Sequence, residues 1–460
     1  MTASLRGTLP LAMPLVSERE HACAGCLNGS CFHRQPEAAR RFMREMGSGS
    51  EAPSSECAPG ASAYEPAPLL SSLAPWIERG QARYRATIRR LIGLLRPELL
   101  PLLDRASGDP YLEPFVFLHF SSGRTGERLL QPFAGYTTGD GGRFETSVVT
   151  DRNGNLHLPR LGVIRTPLPE ARLDLRFSEE RKDPVVTRSG FPLESSFAQS
   201  HMIAETSIEL CPAHTPLLDS VFVNQRGETI PVAIEHPARR MQPALDRAFR
   251  LLHRLYPELH SAFASVLRLV VIFEAGGLNS FATPAAHGAV FLNAALGDDE
   301  VFLIEDLSHQ GGHVLFSAAT ADAPSYFEVE PEASISTFHH RLDDRSVYVL
   351  LHGVFTEALM AQTLDAALTQ RVFHGRQLDE LRGRLAFTMR RFAADLQTVA
   401  LPGILNERGL LLLRVLLDIY VDIARRRAEL VLHSDFSNQT YNFSYARYLE
   451  LNPPGGTGHE

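Results

Sequence analysis

DDEVFLIEDLSHQGGHVLF, residues 298–316, is the stretch on which the fold reading turns. Its acidic residues 298–300 suit the first turn of a helix, where the backbone dipole favours negative charge. Leu303, Leu307, Val314 and Leu315 follow at helical spacing. His309 and His313, four apart, then sit on one face, one turn above the other, where two imidazoles can ligate one metal ion. Gly311 and Gly312 lie between them, each costing about 1 kcal/mol against alanine in a helix interior. A chain carries that cost where another backbone or a ligand must come close. In H-E-x-x-H metalloproteases the glutamate activates metal-bound water. The corresponding catalytic position here is Gln310, which takes no proton at neutral pH, and this argues against peptide hydrolysis by that route.

Downstream, apolar spacing predicts helices over 298–319, 345–371, 377–400 and 407–433, then a disordered tail over 446–460. Within the second helix, SVYVLLHGVFTEALM (346–360) offers His352 and Glu357 in apolar surroundings. They stand about 140° apart around the helix, so one of the two is the candidate third metal ligand. Two histidines and a carboxylate with open positions suit non-haem Fe(II) and oxygen chemistry.

Upstream, Pro237–Ala264 is helical, with Pro243 and Pro257 as boundaries, and VLRLVVIF (266–273) and GAVFLN (288–293) are strands. Leu69–Arg105 is helical. Residues 109–177 read as β-rich, with PFVFLHF (114–120) a strand and GDGGR (139–143) and NGN (153–155) turns. The fold class is therefore α+β: a mixed, β-containing N-terminal half, and a helical C-terminal half with a zincin-like metal-binding helix. The expected units are a Cys-rich segment 1–46, a flexible Gly/Ser/Pro linker 47–68, a helical and β-rich region 69–237, and a catalytic region 238–445.

The 460 residues carry 45 Lys and Arg against 53 Asp and Glu, a net charge of −8 that argues against nucleic acid as a partner. No run of 18 apolar residues occurs, so no membrane span is expected, and five clustered or scattered cysteines suit the reducing cytoplasm. Cys23, Cys26, Cys31 and His33 have ligand types for a small zinc site, with plain reduced thiols the alternative. No P-loop, G-x-G-x-x-G or G-x-S-x-G motif is present.

The region from Ser280 to Leu359 resembles the HExxH-type, 2-oxoglutarate-dependent peptide β-hydroxylases associated with bacterial ribosomally made peptide natural products. The resemblance is carried by Ser280-Phe281 leading to His287-Gly288 and an apolar strand, by the helix 303–316, and by Arg345 followed by LLHGVF (350–355). It covers roughly 80 residues of the chain. It implies Fe(II) and 2-oxoglutarate as cofactors, a peptide or small-protein substrate, and hydroxylation of a side-chain carbon. It makes Glu357 the first choice for third ligand and His352 the second. Arg345, with Arg341 close by, becomes the candidate partner of the cosubstrate's carboxylate. The departure is Gln310 in place of the motif glutamate. Two other readings stay open: a divergent zinc hydrolase using Glu305 or Glu328 as base, and a catalytically inactive peptide-binding protein.

Overall fold

Helix α1 (Leu69–Leu95) opens the described chain and α2 (Pro114–Ser121) follows. The computed structural model describes residues 69–453 apart from 107, 123–128, 130, 138–143, 179–180, 225–226, 322–325, 339–342 and 441. The Cys23, Cys26, Cys31 and His33 cluster, the linker and Arg341 lie outside the described residues. Helix α2 is the PFVFLHF stretch expected as a strand. An apolar run without alternation fits either element, and Pro114 decides for a helix start, since it presets φ and forfeits an N–H that a first turn leaves unbonded. Phe115 and Leu118, three apart, then enter one apolar cluster while Val116 and Phe117 enter another.

The expected β-rich region begins at β1 (Phe144–Val149). β1 pairs antiparallel with β4 (Arg172–Ser178), which continues to β5 (Arg181–Arg188) and β6 (Phe191–Pro192). Between them in sequence, β2 (Asn155–Leu158) and β3 (Gly162–Arg165) form a second antiparallel sheet with β7 (Ser196–Gln199). Val148, Leu156, Leu158, Ile164, Leu173 and Val186 give these two sheets a shared small core.

The third sheet positions the site. In it β9 (Glu209–Leu210), β10 (Leu269–Phe273) and β11 (Ala289–Asn293) run parallel, and β8 (His201–Met202) flanks β9 antiparallel. Val270, Ile272, Val290 and Leu292 face the main helical core, while Leu269, Val271, Phe273 and Phe291 face a second cluster that holds Phe222 and residues of α2. A parallel strand covered on both faces is apolar throughout, which is why these two strands are legible in the sequence.

The main core is built by α3 (Glu235–Leu255), α4 (Pro257–Val266), α5 (Glu300–Ala319), α6 (Val347–Thr369), α7 (Arg376–Val399) and α8 (Glu407–Arg426). Pro243 does not end a helix: α3 runs through it, because Met241, Ala244, Leu245 and Ala248 are buried in that core. Their packing offsets the hydrogen bond that a helix proline removes, a loss of about 3 kcal/mol. Pro257 starts α4 as expected. Helix α6 is long and apolar enough to cross a bilayer by composition, yet here it is the buried central helix, packed against α5, α7 and α8. Leu69–Ile77 and Ile203–Leu210 join the same core. After α9 (Ala428–His433), a last helix α10 (Tyr445–Leu451) stands where a disordered tail is expected. Its Tyr448 ring stacks on Phe436 and covers Gly383 of α7.

Candidate metal centre

Asp299 caps α5, its carboxylate accepting from the Val301 N–H at 3.0 Å, so the helix begins at Glu300 with Asp298 outside it. The two glycines are explained by close packing. A Cβ on Gly311 would stand 2.4 Å from the Phe263 ring of α4, and one on Gly312 would stand 3.1 Å from both Leu359 and Thr356 of α6. Because α6 presses this closely on α5, a side chain from α6 reaches the histidine pair. That side chain is His352.

The His309 and His313 ring centroids are 4.8 Å apart, and those of His313 and His352 are 4.2 Å apart. His313 Nδ1 and His352 Nε2 share a hydrogen bond of 2.7 Å. Phe316 stacks on the His352 ring and fixes its plane. Burial pushes the His313 imidazole down to about 4, helped by the positive charge of Arg391. Burial likewise holds His309 and His352 well below the ordinary histidine range, with the neighbouring His313 as the next cause in both. All three rings are therefore neutral at pH 7, the form in which imidazole ligates metal.

Glu357, the first-choice ligand from the sequence, points elsewhere. Five residues on from His352 it lies on a different face of α6, fully buried, with Arg391 Nε 3.4 Å from its Oε1. Burial and then Asp395 raise its carboxyl well above the usual range, opposed by Arg391. Arg345, the expected cosubstrate anchor, precedes α6 instead of lying on it. Its guanidinium is bidentate to Asp395 at 2.7 and 2.9 Å, and also bonds Asp343 at 2.9 and 3.1 Å. Two carboxylates thus already neutralise it. Of the alternative bases, Glu305 is paired with Arg384 and accepts from Thr388 at 3.3 Å, and Glu328 is exposed.

Two residues at the site escaped the sequence reading. Gln310 Nε2 donates to Asp306 Oδ1 and lies 3.2 Å from both that oxygen and His309 Nδ1. Burial pushes the Asp306 carboxyl up to about 7. The i, i+4 relation of Asp306 to Gln310 was the available signal, since such pairs meet on a helix face. Arg391 had none, because only the packing of α7 on α6 brings it here.

His309, His313, His352, Gln310, Asp306 and Arg391 all line one cleft of about 1760 Å³, which residues within 220–224 and 277–285 also line. Among the described residues, no three His, Cys, Asp or Glu side chains are already spaced as a finished metal cage. Two imidazole nitrogens on one tetrahedral ion stand about 3.4 Å apart for bonds of about 2.1 Å. The His313–His352 pair at 2.7 Å therefore needs to open by less than one ångström, a rotamer-scale adjustment. By donor type alone, His309, His313 and His352 suit a divalent ion. No family model matches the chain, and no curated protein is significantly similar to it.

Proposed function

We propose that the chain is an Fe(II)- and 2-oxoglutarate-dependent oxygenase that hydroxylates a side-chain carbon of a peptide, with His309, His313 and His352 as the metal ligands. The observation that carries the metal reading is the convergence of three neutral imidazoles from α5 and α6, His352 buried and His309 and His313 half-buried, on the wall of a large cleft. Bound iron with open positions supplies oxygen activation, a chemistry in which no protein base is needed at position 310. The protein's own part is to hold the rings, exclude water through Phe316 and Tyr348 packed at His352, and seat the substrate. At about 1760 Å³ the cleft exceeds the roughly 300–1000 Å³ of small-molecule pockets, which favours a peptide. The cosubstrate's carboxylate can use Arg345 only by replacing one of its two aspartates.

A metal-dependent hydrolase is the second reading, favoured by one observation: Asp306, raised to about 7, is a carboxyl suited to general base work in the same cleft. Protein purified without oxygen separates the readings through its metal content and its consumption of 2-oxoglutarate. About one iron per chain, lost in His309→Ala and His352→Ala, with cosubstrate consumed, supports the oxygenase. Zinc without 2-oxoglutarate turnover supports the hydrolase. No metal at the histidines leaves a peptide-binding protein.

A further inference from the structure

Gln310 stands where an H-E-x-x-H helix carries its glutamate, and the oxygenase reading gives it no reactive task. Its side chain is 2% exposed, with Nε2 3.2 Å from Asp306 Oδ1 on one side and 3.2 Å from His309 Nδ1 on the other. Gln310 Oε1 is buried and has no hydrogen-bond partner, while the Ser280 hydroxyl also bears on the Asp306 carboxyl. With the amide N–H donating to His309 Nδ1, the neutral ring carries its proton on Nε2, the only nitrogen left for an ion. An imidazole that gives Nε2 to a metal needs the other tautomer, with its proton on Nδ1 and an acceptor facing it.

Turning the carboxamide by half a rotation exchanges its oxygen and nitrogen in nearly the same volume. Gln310 Oε1 then accepts from His309 Nδ1–H. The Asp306 carboxyl, which burial keeps largely protonated up to about pH 7, donates its O–H to the same oxygen. A glutamate at 310 would set a second carboxylate against Asp306, where two buried acids cannot both ionise. Asp306 and Gln310 thus belong together as a pair.

We propose that Gln310, backed by Asp306, is a positioning residue that selects the tautomer of His309: Nε2–H without metal, Nδ1–H with metal. The ring keeps one proton throughout, since Nε2–H is released to water as Nδ1 takes one up. The proposal rests on His309 being a metal ligand, and the test separates the two ideas.

The full chain, labelled with ¹⁵N-histidine, is followed by long-range ¹H–¹⁵N correlation with Zn²⁺ as the diamagnetic probe, and His309 is assigned from His309→Gln. Native protein is expected to show Nε2–H alone and Nδ1–H after Zn²⁺. Gln310→Met is expected to show mixed tautomers without metal and about 10–100-fold weaker Zn²⁺ binding. Gln310→Asn, too short to reach both partners, gives the same loss should the methionine variant fail to fold. Asp306→Asn, whose amide can donate to a turned Gln310, is expected to keep Zn²⁺ affinity within about tenfold of native. If Zn²⁺ leaves His309 unperturbed in the native chain, the metal reading falls and takes this proposal with it. If Zn²⁺ binds there but both Gln310 variants keep the native tautomer and affinity, the proposal alone is overturned.

Discussion

Replacing Asp306 by asparagine should stabilise the protein, and the gain should depend on pH. Asparagine keeps the shape of the side chain and an oxygen to accept from Gln310 Nε2, so the change isolates the charge. The carboxyl ordinarily titrates at 3.8, and burial raises it to about 7 in the fold. A raised pKa means that the folded state binds the proton more tightly than the unfolded chain. This contribution is fully present below the unfolded pKa and is lost as pH rises through the folded one. Each unit is worth about 1.4 kcal/mol, so the penalty above pH 7 is on the order of 4 kcal/mol. Asp306→Asn should therefore match the native protein near pH 4 and exceed it by up to that amount at pH 7.5. Urea unfolding read from the single tryptophan, Trp76, which lies in α1 against the main core, is a suitable assay. A gain that is equal at both pH values, or a loss at pH 7.5, would refute the reasoning that burial of an ionised Asp306 costs the fold stability.

His352→Ala should abolish stoichiometric metal binding while Glu357→Gln leaves it within about twofold, because only His352 faces the histidine pair; metal analysis of purified variants decides this. Arg345→Ala should lower stability by about 1–3 kcal/mol, reduced from a fully buried pair because the side chain is a third exposed; a melting curve shows it. Gly311→Ala should destabilise by about 1–3 kcal/mol through overlap with Phe263, whereas Gly312→Ala, tight by only a few tenths of an ångström, should come out near neutral once helix propensity is credited; chemical denaturation of both compares them.

The parts of the fold that were legible are those whose burial leaves one period or one continuous apolar run. The α5 helix, the strands β10 and β11, and the helices α6, α7 and α8 belong here. PFVFLHF failed because an apolar run of that length has no period, and Pro114 acts through a backbone angle that hydrophobicity does not record. Pro243 failed because packing around it outweighs the lost hydrogen bond. At the site, His309 and His313 were visible from spacing along one helix. The choice between His352 and Glu357 was not, because it depends on which face of α6 meets α5, and that is set by Gly312 against Thr356 and Leu359. Arg345 looked like a cation offered to a ligand because Asp395, fifty residues later, is invisible as its partner in sequence.

The apolar α6 also constrains how the protein is made. As it leaves the ribosome, Val347–Thr369 is as long and apolar, by length and composition only, as a membrane span. Its shielding partners α7 and α8 are synthesised only afterwards, the last of them ending at Arg426. During the synthesis of some sixty further residues the helix that carries His352 thus relies on α5 and on chaperones for cover. A chain stopped before α8 should be captured by holdases or aggregate, because the face of α6 that α8 covers stays exposed.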